Sequence, residues 1–435
     1  MKFIANISFI RDLTARFKSS SYWKDIAWLS SGTALAQVIM LTTMPLFTRL
    51  FTPSDFALQN LFGQIVSLVV IVATLRYEYF IQLPMQDADA LLLVKVVAIL
   101  SFFAILTLTP VLWLFRNVIA LSVGDAALSP WLVFIPVTAA TMSLAIALQG
   151  WTQRKKLFRR SGESEIMGKA SYAVTILLGW LFLPGAGGLI LSWLGTSLGK
   201  IFWLLRDVQW IIFGGYPELK RIARLYMRLG GSLVISHGLL ACTVAIPSIF
   251  IARIYGSEIL GQYALAYLVI CFPSVLLGNA IGNVYYQRAS ERWAQGFNFA
   301  DIWRSTAKKL IFMGLPIYGV AIMIMPWLFP IFFGDTWGPA GFYCAILAFS
   351  AFFSFITTPM DRACLIVGAW WYAPLWHAAR TATTVVVAWV TLIFQWPINS
   401  FLTCLVFQQI VLYLIDYWVQ WHFARRLPPL VRQTS

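Results

Sequence analysis

Long apolar runs separated by short polar connectors recur from one end of the chain to the other. Residues 91–115, 131–148, 233–251 and 401–415 are nearly uninterrupted examples. A helix needs about 20 apolar residues to cross roughly 30 Å of hydrocarbon, so each run is long enough, or nearly so, to span a bilayer. A membrane β-barrel would show segments of about ten residues with alternate positions polar, and the runs carry no such alternation. The pattern predicts twelve transmembrane helices, at about 27–48, 57–80, 91–115, 131–150, 168–184, 187–206, 230–252, 262–284, 308–332, 341–359, 371–394 and 400–421. Pro53, Pro84, the stretch 184–188, Gly338, Pro339 and Pro397 mark breaks between them. Trp113, Trp131, Trp151, Trp210, Trp327, Trp337, Trp396, Trp418 and Trp421 fall near predicted ends, where an amphipathic ring suits the lipid–water boundary.

Composition agrees with that reading. Of 435 residues, 60% are hydrophobic and only 11% charged, against about 25% charged in an ordinary soluble protein. The formal charge of +15 raises the question of nucleic acid, but that would need a solvated basic face with stacking aromatics. Here Lys and Arg sit in the connectors instead, and no nucleic-acid partner is expected. Their distribution sets the orientation by the positive-inside rule. With the N-terminus in the cytoplasm, Lys2, Arg11, Arg16, Lys18 and Lys24 lie inside, as do Arg154, Lys155, Lys156, Arg159, Arg160 and Lys169. Arg206, Lys220, Arg221, Arg224 and Arg228 follow, then Arg288, Arg292, Arg304, Lys308, Lys309, Arg362, Arg425, Arg426 and Arg432. Outer connectors keep only Arg49, Arg116 and Arg253. Both termini are therefore expected in the cytoplasm. In the first 22 residues Phe3, Ile4, Ile7, Ile10, Leu13 and Phe17 recur at helical spacing among basic residues. That fits an amphipathic helix on the membrane surface, or a frayed terminus, better than a cleavable signal. Five cysteines (Cys242, Cys271, Cys344, Cys364 and Cys404) stand singly, so neither a metal site nor a disulfide framework is expected.

The chain also echoes itself. Pro45-Leu-Phe-Thr-Arg49-Leu-Phe, followed by Phe56-Ala57-Leu58 and Leu61, is similar to Pro247…Arg253-Ile-Tyr, followed by Tyr263-Ala264-Leu265 and Leu268. Phe56 and Tyr263 are 207 residues apart. Each copy joins the first and second helix of a six-helix half, as in parallel repeats related about the membrane normal. The expected organisation is an amphipathic segment over 1–22, lobes over 23–213 and 214–424, and a basic tail over 425–435.

Three stretches resemble the polysaccharide-transporter (O-antigen flippase) family of the multidrug/oligosaccharidyl-lipid/polysaccharide superfamily. They are Gly32-Thr-Ala-Leu-Ala-Gln37 through Pro45, Arg49-Leu-Phe-Thr-Pro53-Ser-Asp55-Phe56, and Leu75-Arg76-Tyr77-Glu78…Leu83-Pro84. In the second half, Ile254-Tyr255-Gly256…Leu260-Gly261-Gln262-Tyr263-Ala264 and Gly278-Asn279-Ala280-Ile281-Gly282…Tyr286-Gln287-Arg288-Ala289 look similar to the corresponding family segment. The resemblance implies an all-α integral membrane protein, with two six-helix lobes in a V around a cavity opened alternately to each side. It implies transport of an undecaprenyl-pyrophosphate-linked oligosaccharide from the cytoplasmic to the outer leaflet of the bacterial inner membrane, without a cofactor. The product would serve O-antigen (lipopolysaccharide), capsule or exopolysaccharide synthesis. Membrane lipids, a polysaccharide polymerase and a chain-length regulator are the further partners it implies.

Polar residues inside the apolar runs are the candidate functional positions, because a buried charge costs roughly 2.5–3.5 kcal/mol on insertion scales. Arg76 and Glu78 are read at the inner end of the second helix, as a pyrophosphate or sugar ligand with its orienting or ion-coupling carboxylate, or as a pair snorkelling to the cytoplasm. Asn279, Asn283 and Gln287 share a face of the eighth helix, and Asn60 and Gln64 one of the second. With Gln37 they would line a cavity or tie helices together. The 207-residue offset sets Asn283 opposite Arg76. Lys200 and Arg380 are further substrate candidates, and Arg380 with Asp416 could equally form a structural pair. His237 and Asp416 join Glu78 as ion-coupling candidates, His237 because it titrates near neutral pH. Alternatively His237 is a packed core residue. Gly195-Thr-Ser197-Leu-Gly199 imitates a hydrolase nucleophile motif, but lies within a predicted helix and not after a strand, so it reads as helix packing.

Two other functions compete. An organic-cation exporter of the same superfamily would favour carboxylates in its cavity, whereas Arg76, Lys200 and Arg380 here tilt towards an anion. A membrane polymerase or glycosyltransferase would need a large catalytic loop, and the longest connectors, about 151–167, 207–229 and 285–307, are basic and poor in carboxylates.

Overall fold

The structure, a computed structural model, describes residues 20–207 and 216–428. The surface segment expected over 1–22, the lobe boundary at 213/214, Trp210 and the end of the basic tail lie largely or wholly outside these residues. Twelve long helices follow in the expected order: α1 (Ser20–Leu50), α2 (Pro53–Ala73), α3 (Asp87–Val123), α4 (Ile135–Arg154), α5 (Phe158–Phe182), α6 (Gly187–Leu204), α7 (Tyr216–Tyr255), α8 (Ser257–Ala294), α9 (Ala300–Phe333), α10 (Gly338–Thr357), α11 (Tyr372–Phe394) and α12 (Ile398–Arg425). No strand occurs among the described residues. Ten of these helical segments are long and apolar enough to cross a membrane. The two that fall short, α5 and α6, carry Glu165, Lys169 and Lys200 in their apolar stretches. The outer surface is greasy: Phe312 is 82% exposed and Trp327 77%, which suits lipid and would be a liability in water. The protein is a multi-pass membrane protein.

Local chemistry explains the helix ends. Thr52 and Asp55 form a reciprocal capping box at the start of α2, with Pro53 in its first turn. Gly124, at φ +102°, closes α3 by donating its N–H to the last carbonyls. Some basic connectors are helix rather than loop: α7 begins before the predicted residue 230, α8 runs beyond 284, and α9 starts before 308. In α7 the reason is amphipathic spacing, since Leu219, Ile222 and Tyr226 pack into the first lobe while basic neighbours stay in water.

Packing repeats with a period of six helices. In the first half α1 pairs with α5, α2 with α4, α3 with α4, α4 with α6, and α5 with α6. The second half pairs α7 with α11, α8 with α10, α9 with α10, α10 with α12, and α11 with α12. The halves meet through α2 against its own counterpart α8, and through α7 against α2 and α3. The α5–α6 contact depends on small residues: a Cβ on Gly179 would lie 2.1 Å from Gly188 Cα, and one on Gly199 2.2 Å from Ser171 Oγ. That is the packing role expected for the Gly195–Gly199 motif.

The bundle has a basic end, where the connectors after α4 and α8 lie, and a distal end. At the distal end the lobes are sealed. A Cβ on Gly261 of α8 would sit 1.8 Å from Pro53 O of α2, so only glycine permits this approach. Trp337, 1% exposed, packs edge-on against Phe56 at 5.0 Å and donates its indole N–H to Thr48 O at 3.0 Å. Gln262 holds that turn by donating to Thr336 O (2.7 Å) and accepting from Ala340 N (3.1 Å). Ser257 donates to Asp125 across the same seam. Trp337 is thus a plug between lobes, not the interfacial anchor that its place in the sequence suggested, and Trp151 is likewise buried.

Candidate functional site

Beneath the distal seal two adjoining cavities, of about 260 and 380 Å³, lie between the lobes. They share Met40, Asn60, Lys169, Trp193, Ala264 and Leu268, so they form one space floored by α1, α2, α5 and α6 and roofed by α8. On α2 the residues Asn60, Gly63, Gln64 and Ser67 recur at three- and four-residue spacing, which puts them on one face. Gly63 is required there, because a Cβ would meet the Trp193 ring at 2.4 Å. Gln37 reaches the same space from α1. From α8 come Tyr267 and Cys271, and Tyr267 lies within electrostatic reach of Arg380 and Tyr413 in the second lobe.

Among the described residues, Lys169 is the only charged one lining either cavity. The sequence placed it in a basic connector, but it stands about three turns into α5. Its ammonium is 3.2 Å from Met40 Sδ and 5.2 Å from the centre of the Tyr172 ring. Glu165, one turn away, is engaged elsewhere: Lys200 Nζ donates to it at 2.7 Å and Gln149 Nε2 at 2.9 Å. Among the described residues no carboxylate lies within ion-pair distance of Lys169. The signal missed in the sequence was joint: Glu165, Lys169 and Lys200 lower the hydropathy of two neighbouring helices, with one carboxylate for two lysines.

The other predicted positions separate into groups. Gln37, Asn60 and Gln64 come together in the cavity. Lys200 is held by Glu165, which removes it as an unpaired cation. Arg76 and Glu78 are not within a helix, because α2 ends at Ala73. Leu75 (φ +49°) and Arg76 (φ +61°) are left-handed, and Tyr77–Phe80 forms a 3-10 turn. This costly backbone is held from the second lobe. Tyr77 Oη donates to Ala223 O at 2.7 Å, Phe80 stacks on Tyr226, and Gly230 leaves room for Leu75 O. Within the turn Arg76 Nη1 is 3.3 Å from Glu78 Oε1, and Thr74 Oγ1 donates to Glu78 Oε2 at 2.7 Å. His237 of α7 lies 5.2 Å from the Tyr79 ring, over which Arg76 also stacks. Arg76, Glu78 and His237 therefore meet at the lobe–lobe seam near the basic end.

In the second lobe the expected Arg380–Asp416 pair does not form. Arg380 donates to Tyr413 Oη at 3.2 Å, while Asp416 accepts from Tyr372 Oη at 2.6 Å and Gln420 Nε2 at 2.7 Å. A turn of α12 separates Tyr413 from Asp416, and each polar head takes the partner at its own level. Asn283 is exposed and accepts from Arg362 Nη1 at 3.2 Å. Its repeat counterpart Arg76 stands in a left-handed turn beyond the end of α2, whereas α8 reaches Asn283 through a π-helical turn, Ser274–Gly278. That turn changes the facing of later residues. Gln287 bonds Glu291 instead of facing a cavity. Nothing is described for the Asn279 side chain. No grouping of three His, Cys, Asp or Glu suited to a metal occurs among the described residues.

The fold is shared with solved transporters. The lipid II flippase MurJ, in an inward closed conformation, matches with a TM-score of 0.66 at 13% identity, covering 90% of this chain and 87% of that one. A transporter of the same superfamily from Pyrococcus furiosus matches at 0.61 and 13%, covering 91% and 94%. A mutant form of the Vibrio cholerae MATE transporter VcmN matches at 0.60 and 13%, covering 93% and 95%. A comparison with curated protein sequences yields no match. The family model described as polysaccharide biosynthesis protein matches residues 46–341, a span that takes in the seam and most of the cavity lining: the chain belongs to the polysaccharide biosynthesis protein family.

Proposed function

We propose that the protein flips an undecaprenyl-pyrophosphate-linked oligosaccharide from the cytoplasmic to the outer leaflet of the bacterial inner membrane, with both termini and the basic end in the cytoplasm. The observation that carries this reading is the cavity lining, which among the described residues has one cation outside any ion pair, several neutral amides and hydroxyls, and no carboxylate. A cation of this kind attracts a diphosphate by about 4 kcal/mol at 4 Å, taking an effective dielectric constant of roughly 20. Asn60, Gln64 and Gln37 suit sugar hydroxyls, each offering donors and an acceptor. An organic cation would meet the wrong sign, which argues against the exporter alternative. Arg380 lies outside the cavity lining, donating to Tyr413 Oη in the second lobe. Arg76, Glu78 and His237, at the seam, are assigned to the change of lobe packing and not to substrate. The present cavity fits a headgroup rather than a whole oligosaccharide, so transit requires the lobes to part along α2 and α8.

A strain lacking the protein should accumulate complete lipid-linked repeat units shielded from an impermeant probe, with surface polysaccharide lost. Truncated glycans would point to a transferase, and complete units exposed outside to a polymerase. Either result would reject the assignment.

A further inference from the structure

A groove of about 570 Å³ opens between the basic-end portions of α8 and α9, apart from the central cavity. Arg288 and Lys309 stand on its two walls, with Ser305 and Thr306 beside them. Both cations are exposed, and neither has a carboxylate of the described residues within ion-pair distance, although Asp301 lines the same groove. Tyr285 lies at its base. That residue is 1% exposed and its hydroxyl has no hydrogen-bond partner, an expensive condition for a buried polar group. The opposite face of α9 borders a second groove, of about 450 Å³, lined by Trp303, Arg304, Lys308, Tyr417 and Trp421, where Arg304 is engaged over the Trp421 ring at 5.1 Å. Trp303 packs on Tyr417 at 4.6 Å and on Trp421 at 5.1 Å, and Phe299 N donates to Ala424 O at 3.1 Å.

The position of the groove identifies its ligand. Lys309 is the last charge before the long apolar stretch of α9, so it marks the boundary between headgroups and hydrocarbon. Beyond it the walls turn apolar, through Ile281 and Val284 on α8 and Phe312, one turn from Lys309, on α9. We propose that this groove binds the phosphate of an anionic membrane phospholipid, with the acyl chains running along α8 and α9. Arg288 and Lys309 hold the phosphate oxygens as charge-assisted donors, and the Tyr285 hydroxyl gains the acceptor it lacks. The π-helical turn of α8 lies just above, so a bound lipid braces the lower half of α8 against α9.

Binding is measured on the full-length protein in detergent with dihexanoyl phosphatidylglycerol, dihexanoyl phosphatidylcholine and glycerol phosphate. The anionic lipid should bind best, and R288Q/K309Q should weaken it roughly tenfold, as loss of charged hydrogen bonds implies. R304Q/K308Q removes the same charge from the second groove, on the other face of α9, and should leave affinity unchanged. Equal loss in both double variants would mean diffuse surface charge, loss only in R304Q/K308Q would put the lipid in the second groove, and no loss in either would mean no site; each would overturn the proposal. Glycerol phosphate binding as tightly as the lipid would make this a soluble-phosphate site and overturn the lipid assignment. Should R288Q/K309Q fold poorly, Y285F keeps the shape and removes only the hydroxyl. Its affinity should drop about threefold, and an unchanged affinity would likewise overturn the proposal.

Discussion

Lys169 and Lys200 stand close together on α5 and α6, and of the two only Lys200 is within ion-pair distance of Glu165. That difference predicts opposite phenotypes. Lys169→Gln should abolish complementation of a deletion strain at normal protein abundance, while Lys169→Arg should keep partial function by preserving the charge. Lys200→Gln should instead lower abundance. It leaves a largely buried Glu165 without its cation, with only the Gln149 amide as partner, and breaking such an ion pair costs roughly 3 kcal/mol. Blotting for protein alongside the complementation assay separates the two, and a well-expressed, inactive Lys200→Gln would reverse their roles. At this scale the sequence was only partly legible. Amides on one helix face (Asn60 and Gln64) could be recognised because their spacing is local. Lys169 could not, because its isolation depends on which lysine wins a carboxylate from the next helix. Asp416 shows the same limit: its partners Tyr372 and Gln420 are decided by helix level, which apolar runs do not specify to within a turn.

Helices α2 and α8 are counterparts in the repeat, yet they solve the same problem differently. α2 stops at Ala73 and hands over to a strained turn, whereas α8 continues through a π-helical turn beside Pro359, which approaches Gly278 and Gly282. Periodicity anticipated both helices and their order, but neither interruption. The strain at Leu75 and Arg76 is supported by α7 from the other lobe, and such support leaves no trace in local sequence. At their distal ends the two helices touch through Gly261. Gly261→Ala should force the seam apart, since its Cβ would fall 1.8 Å from Pro53 O. A cysteine introduced at Asn60, in a background freed of the native cysteines, should then react faster with an impermeant maleimide added from outside. Unchanged labelling, in protein that is normally folded, would show that the distal seal lies elsewhere.

On the scale of the whole molecule, the repetition of helix pairings at a period of six helices leaves α2–α8 and the α7 contacts as the main places where the lobes can move. This much was readable early: two halves in the same sense, with basic connectors on one side. Orientation is checked by labelling single cysteines, with Glu258 and Asn399 expected outside and Leu157 and Ala294 inside. Two inverted sites would overturn it. Motion is the sharper test. Asp125 follows α3 in the first lobe and Ser257 begins α8 in the second, and their side chains are hydrogen-bonded across the distal seam. If substrate leaves by parting of this seam, tying the two positions together must stop transport without touching the cavity. D125C/S257C, with Cys242, Cys271, Cys344, Cys364 and Cys404 replaced, should be active when reduced. It should lose transport when bridged by a short thiol-specific cross-linker carrying a disulfide, and recover it on reduction. Each single cysteine variant should ignore the reagent. Transport that persists in fully bridged protein would mean that the lobes do not separate at α2 and α8, and that the substrate leaves by another path.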